Sequence, residues 1–509
     1  MKAYAREVTG YFLVFLSVLL TFSLFVPIRA VEASTYAFPM YGDYEEPNIY
    51  YYPEGTGVPT SPDPLPSDFS AGLLTFNLDM VDVEQVSATG EGIYVAVLDT
   101  GLASIWPTFF PPERIADGYG KRFTYASVAW DPVADDFIPV GPMVIDGAFI
   151  TNPFGSGHGT HVTSTIIGYD YGGTYITGVA PKVKIIPVLV MDTWWFPGDP
   201  DPEAPPAGYY TFGFWDMIAA AINYIADLAE SEGIKIIISM SLGDGPSPLM
   251  ENAIDYAISK GVIVVASAGN SGPPPSGYLG WPGAYPQVIC VGAAGWTGEW
   301  VGNVGPPLNP GFWLEDVPEN LYTTDYFGND FQVYLTYFSS RPNSALGQDV
   351  DDLDLCAPGA AVVGPYMIEG DPPDDWGYYY LWGTSMSAPH VAGIAALVLE
   401  QHPTLEQAGM EKLLKTAAAQ IPLTAPGGSR SADVVDPWGY WTETWDYWEY
   451  GRGLLTADTA KMFAKSVGGI WTPISTGQLL TPWIGLVSTA LIATGAAVLF
   501  KRREKRDKQ

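Results

Sequence analysis

Ile93-Tyr94-Val95-Ala96-Val97-Leu98-Asp99-Thr100-Gly101 is the stretch that decides how this 509-residue chain is read. A short run that is apolar on both faces reads as a buried strand of a parallel sheet. Asp99 then stands at the carboxyl end of that strand, where open α/β sheets place their ligands and chemistry. Working outward, the apolar runs 183–190, 234–240 and 262–266 predict further buried strands. Residues 214–228 and 253–259 carry helical spacing. Strand and helix alternate, which predicts an α/β domain with a mainly parallel sheet between helices. Three stretches, about 103–150, 193–212 and 295–345, interrupt the pattern with Pro, Trp, Asp and Gly and are expected to be surface insertions.

Composition narrows the chemistry. The chain carries 56 acidic and 23 basic residues, a net charge of −33, so it repels nucleic acid, whose phosphates need clustered Lys and Arg. Hydrophobic residues make up 47%, enough for a large core. Two cysteines, Cys290 and Cys356, exclude a disulfide scaffold and a four-thiolate zinc site. They fall in neighbouring predicted strands, and a disulfide and two buried thiols are both open readings.

Two further segments stand out. In Gly157-His158-Gly159-Thr160-His161-Val162, glycines flank His158 just before a predicted helix. In Gly383-Thr384-Ser385-Met386-Ser387-Ala388-Pro389-His390, Ser385 opens an apolar helix with a positive dipole end behind it. Taken singly, Asp99 reads as a turn cap, Ser385 as an N-cap and the two histidines as packing residues. Taken together, Asp, His and Ser are the set that turns a hydroxyl into a nucleophile.

With these three motifs in this order, the sequence resembles the subtilisin-like serine proteases, the subtilases, over about residues 71–465. The resemblance implies a three-layer fold with a mainly parallel sheet between helices. It implies an endopeptidase with Asp99, His158 and Ser385 as catalytic residues. Asn270, in Ser267-Ala268-Gly269-Asn270-Ser271-Gly272, matches the family's oxyanion donor, with the Ser385 backbone N–H as the second. Ser241-Leu242-Gly243 resembles the segment that pairs with an extended substrate. Gly269 and Gly280 resemble walls of the main side-chain pocket, which implies bulky apolar residues before the cut bond. His161 and His390 read as packing residues and His402 as exposed, while Met386 implies sensitivity to oxidants. The chemistry requires no cofactor and no metal at the site. Structural calcium is common in the family, and Asp199, Asp201, Asp349, Asp351 and Asp352 offer carboxylates, although solvated acidic loops read as well.

The ends set a topology. Residues 1–33 run from Lys2 and Arg6 through an apolar stretch to Val31-Glu32-Ala33 and read as a signal peptide, with an uncleaved anchor as the alternative. Residues 34–70 read as an acidic, Pro/Tyr-rich extended arm, too short for the usual folding prodomain. After a linker at 466–478, residues 479–500 are long and apolar enough for a transmembrane helix, and the basic tail 501–509 is expected to stay cytoplasmic. The expectation is therefore a membrane-anchored extracellular endopeptidase acting on polypeptides. A catalytically silent surface binding protein on the same fold is the alternative.

Overall fold

The structure is a computed structural model that describes residues 36–39, 64–199, 204–299, 317, 332–367, 376–420, 422–424, 428–436 and 439–467. The expected signal peptide, membrane helix and basic tail lie outside the described residues, as do most of the arm and of the linker, whose residues 466 and 467 end the helix Ala457–Val467. The chain divides into two compact units, residues 1–463 and 464–509. Of the second, only the end of the helix Ala457–Val467 is described. Among the described residues no helix is long and apolar enough to cross a membrane.

In chain order the strands that build the site are β1 (Tyr36–Pro39), β2 (Ile93–Asp99), β3 (Lys121–Thr124), β4 (Val144–Asp146), β5 (Lys184–Leu189), β6 (Asp192–Phe196), β7 (Gly208–Phe214), β8 (Lys235–Met240), β9 (Leu242–Gly243), β10 (Ile263–Ser267), β11 (Ile289–Trp296), β12 (Val333–Leu335), β13 (Leu355–Pro358), β14 (Ser429–Asp436) and β15 (Gly439–Asp446). The helices are α1 (His158–Ile167), α2 (Trp215–Glu232), α3 (Pro248–Ser259), α4 (Thr384–Gln401) and α5 (Gln407–Ala418). The main sheet has the order β12-β11-β10-β8-β2-β5-β3-β4, with β13 beside β11. Its centre is parallel throughout, and β12 and β4 run antiparallel at the two ends.

Parallel strands need both faces covered, and the side-chain alternation divides the work. Ala96 and Leu98 of β2, Ile236 and Ile238 of β8, and Val264 and Ala266 of β10 point to one face, where they form a core with α2 and α3. The intervening residues, Val95, Val97 and Asp99 among them, point to the other face, and α1 and α4 pack there. The predicted three layers are thus present. Helix α2 begins at Trp215 and ends at Glu232, where Gly233 takes a left-handed turn that a Cβ would strain.

The expected surface insertions are partly structural. Residues 121–124 and 144–146 extend the main sheet as β3 and β4. The 193–212 stretch folds into the β6–β7 hairpin, and Trp194, Phe196, Phe212 and Phe214 are buried against the α2 core. Each such side chain taken out of water contributes about 1.5–3 kcal/mol, enough to fix a hairpin that Pro and Gly composition disguised as a loop. The two cysteines are free and buried. They lie on the neighbouring parallel strands β11 and β13, where Cys356 faces Gly292 rather than Cys290. Burial pushes the Cys356 thiol up to about 12 and the Cys290 thiol upward as well.

Candidate active site

Adjacent parallel strands bring their carboxyl ends to one edge. Leu98 pairs with Met240, and Met240 with Ala266, so Asp99, Ser241 and the 268–270 turn share that edge. Asp99 meets His158, the first residue of α1. His158 Nδ1 stands 2.8 Å from Asp99 Oδ1 and 3.0 Å from Oδ2, with both side chains at 1% exposure or less. The Thr100 N–H also donates to Asp99 Oδ1, at 2.7 Å. A carboxylate so placed accepts the Nδ1 proton and leaves Nε2 as the basic nitrogen. Gly159 makes the approach feasible. A Cβ there would lie 2.4 Å from the Gly101 carbonyl oxygen and 3.1 Å from Asp99 Cβ. The Gly159 N–H donates to Thr100 Oγ1 at 2.9 Å, which ties the helix start to the strand end.

Ser385 sits in the first turn of α4, behind Gly383. Its hydroxyl donates to the Ser241 carbonyl at 3.3 Å, and the Ser241 hydroxyl donates to the Ser385 carbonyl at 2.7 Å. Helices α1 and α4 pack against each other, so the starts that carry His158 and Ser385 come to the same sheet edge. His161 and His390 are buried packing residues, as expected. His161 Nε2 lies 3.1 Å from the Val362 carbonyl, and His390 bonds Asn77. His402 is half-buried rather than exposed. Met386 is fully buried, which limits the access that oxidants need.

Asn270 is oriented from one side. Its Oδ1 accepts from the Thr384 N–H at 2.9 Å and from Thr384 Oγ1 at 3.0 Å. Thr384 Oγ1 accepts in turn from the Gly269 N–H at 3.1 Å. With Oδ1 so engaged, Nδ2 is buried and has no hydrogen-bond partner among the described residues. That is the state of a donor awaiting an acceptor. Gly269 and Gly280 lie side by side: a Cβ on Gly269 would be 3.4 Å from the Gly280 nitrogen. Asp244 and Trp281 exchange backbone hydrogen bonds at 2.8 and 2.9 Å, which joins the 241–244 segment to the 280–281 turn. The structure thus sets Asp99 against His158, Ser385 against Ser241, Asn270 against Thr384 and Gly269 against Gly280. Thr384 was missed: it lies inside a quoted motif, but its hold on Asn270 needs the fold.

Beside this site a second sheet has the order β6-β7-β1-β9. The arm expected to be extended supplies β1, which pairs antiparallel with β7 through Tyr36–Phe214 and Ala37–Gly213. It pairs antiparallel with β9 through Phe38–Gly243 and Pro39–Leu242. The Pro39 end is the one nearer Ser241, whose carbonyl accepts from Ser385.

Of the acidic cluster at 349–352, Asp349 and Asp352 cap a helical turn and Asp351 pairs with Arg452 at 2.7 Å. Among the described residues no group of three or more His, Cys, Asp or Glu is gathered as a metal site would need.

A parallel α/β sheet that gathers Asp, His and Ser at one edge, beside a poised amide donor, is the build of a nucleophilic-serine protein. The chain belongs to the subtilase family, whose model matches residues 90–439. The subtilisin of Bacillus sp. (strain TA39) is 31% identical over 320 residues, which are 62% of this chain and 58% of that protein. Fervidolysin of Fervidobacterium pennivorans is 29% identical over 342 residues, 65% of this chain and 38% of that one. The chain therefore spans less than two thirds of either relative. Among solved structures, an S41 psychrophilic protease is similar at 25% identity and a TM-score of 0.49, over 76% of this chain and 99% of that one.

Proposed function

We propose that this chain is an exported, membrane-tethered serine endopeptidase that cuts after bulky apolar residues. The observation that carries the reading is the buried Asp99–His158 pair on the edge that also holds Ser385 and the unpartnered Asn270 amide. Ser385 Oγ attacks the carbonyl carbon of the substrate while His158 Nε2 takes its proton. Asp99 holds the Nδ1–H and stabilises the imidazolium. The tetrahedral oxyanion is met by Asn270 Nδ2 and the Ser385 N–H. The imidazolium then gives its proton to the leaving amine, and water, deprotonated by the same histidine, releases the acyl group.

A polypeptide in the slot between β7 and β9, running as β1 does, brings its acyl side toward Ser385. The arm itself occupies that slot, so it competes with substrate and slows the resting enzyme several-fold until it is displaced or cut. The preference for large apolar side chains rests on the resemblance of Gly269 and Gly280 to the family's pocket walls. The charge pattern of 479–509 supports the tether, and the −33 net charge disfavours acidic substrates. The test is a series of chromogenic peptides with Phe, Leu, Ala, Lys or Glu before the leaving group. Phe and Leu are expected to lead in kcat/KM and Glu to be last. A folded chain that binds these peptides without cutting them would favour the silent binding protein instead.

A further inference from the structure

Asn270 is gripped from a second direction, by a loop that belongs to neither the triad nor the substrate segments. Ser340 N–H donates to the Gly269 carbonyl at 2.9 Å, and Ser340 Oγ accepts from the Ser271 N–H at 3.1 Å. The Gly272 N–H donates to the Phe338 carbonyl at 2.8 Å, and the Arg341 N–H to the Gly272 carbonyl at 3.3 Å. Both chain neighbours of Asn270 are thus bonded to one residue, Ser340. The next residue, Arg341, is only 2% exposed. Its Nη1 donates to the carbonyls of Thr336 at 2.9 Å, Tyr337 at 3.1 Å and Ser339, so one cation gathers the loop's own carbonyls. Behind it Glu449 Oε1 lies 3.4 Å from Nε, and Glu443 of β15 accepts from the Tyr337 N–H at 3.2 Å. Ser339 Oγ anchors the loop to β11 through the Ala293 N–H at 3.0 Å.

A buried guanidinium carries a desolvation cost that hydrogen bonds and a counter-charge must offset, so a plain loop core would be served better by an apolar residue. What the cation adds is shape: three carbonyls converging on one donor group fix the backbone of 336–340, and that backbone fixes 269–271. We infer that Arg341 is a positioning residue, which acts through Ser340 to hold the Asn270 amide where the oxyanion forms. The inference rests on the serine-protease reading and adds to it a residue outside the three motifs.

The test is a double-mutant cycle on the full chain, with kcat and KM measured for one peptide ester. Arg341→Lys keeps the charge but ends one bond short of the Nη1 position, so its ammonium no longer reaches all three carbonyls, and it loses the Nε that faces Glu449. It is expected to lower kcat about 10–100-fold with KM changed less than about threefold. With Asn270→Ala already in place the same change is expected to cost less than about threefold, because no donor is left to position. Thermal midpoints are read alongside, since loss of stability alone would be the same in both backgrounds. Ser340→Ala keeps Arg341 and removes the Ser271 contact. It is the second variant should Arg341→Lys not fold, with the same pattern expected at a smaller scale. Equal kcat losses in both backgrounds, or a loss in KM alone, overturn the role of Arg341 and leave the protease reading intact. A wild type that hydrolyses nothing, or that is indifferent to Asn270→Ala, overturns both.

Discussion

Thr384 spends two donors on Asn270 Oδ1, and that choice leaves the Nδ2 hydrogens for the substrate. Asn270→Ala is therefore expected to lower kcat by about 10²–10³-fold with little change in KM, the loss established for the corresponding donor in subtilisin. Gly159→Ala tests the approach of α1 to β2. The new methyl would meet the Gly101 carbonyl oxygen at 2.4 Å, so helix or strand must shift. Overpacking of this kind costs about 1–3 kcal/mol. A thermal midpoint lower by several degrees, with kcat falling more than about 100-fold as His158 parts from Asp99, is the expected pair of readouts. His390 supplies a pH dependence. Its Nδ1 donates to the Met386 carbonyl at 2.7 Å and its Nε2 accepts from Asn77 at 2.8 Å, so the ring is held neutral. Burial pulls its pKa down from 6.5 to about 4, and burial pulls His161 down to about 3. The folded values lie below the unfolded one, so the unfolded chain takes up the proton first. Stability is full above pH 6.5 and is lost as pH falls from 6.5 toward 4, by on the order of 3 kcal/mol for His390. Denaturant titrations at pH 7 and pH 4.5 check this, and His390→Gln is expected to shrink the difference by about half, with His161 supplying the rest.

Elements that were legible in the sequence were those whose signal is local. The runs that became β2, β5, β8 and β10 are nearly continuously apolar, with Lys184, Lys235 and Ser239 as interruptions, because both faces are covered, and their ends came within a residue or two. Asp99, His158, Asn270 and Ser385 could be picked out as candidates because each sits in a short motif at or just past a strand or helix end. The β6–β7 hairpin was not, because Pro and Gly around 197–208 hid an aromatic alternation whose meaning depends on the α2 core. The β1 strand was not either. Four residues gain strand character only from partners about 180 to 200 positions away, and no propensity records that. The same holds for Arg341, whose carbonyl cage is made by its own loop but whose purpose lies at 269–271. Deleting residues 36–39 tests the element directly. The slot between β7 and β9 is then open, and initial rates on a short peptide are expected to rise several-fold over the full chain. A synthetic peptide of residues 34–41 should in turn inhibit the deleted form competitively. Equal rates with and without β1 would mean that the strand does not block the slot.

For the whole molecule, the central claim is that one sheet edge gathers a nucleophile, its base, and a donor for the negative charge. The proposed membrane tether rests on the apolar, base-flanked 479–500 stretch of the sequence. A chain truncated after residue 478 is expected in the soluble fraction after alkaline extraction, and the full chain in the membrane pellet. The central claim itself is tested most directly by exposing the chain and its Ser385→Ala variant to a fluorophosphonate probe, with casein hydrolysis followed in parallel. The account predicts that the wild type labels at Ser385 and cleaves casein, and that the variant, folded to the same thermal midpoint, does neither. Casein hydrolysis retained by the variant, or a folded wild type freed of β1 that neither labels nor cleaves, would contradict it.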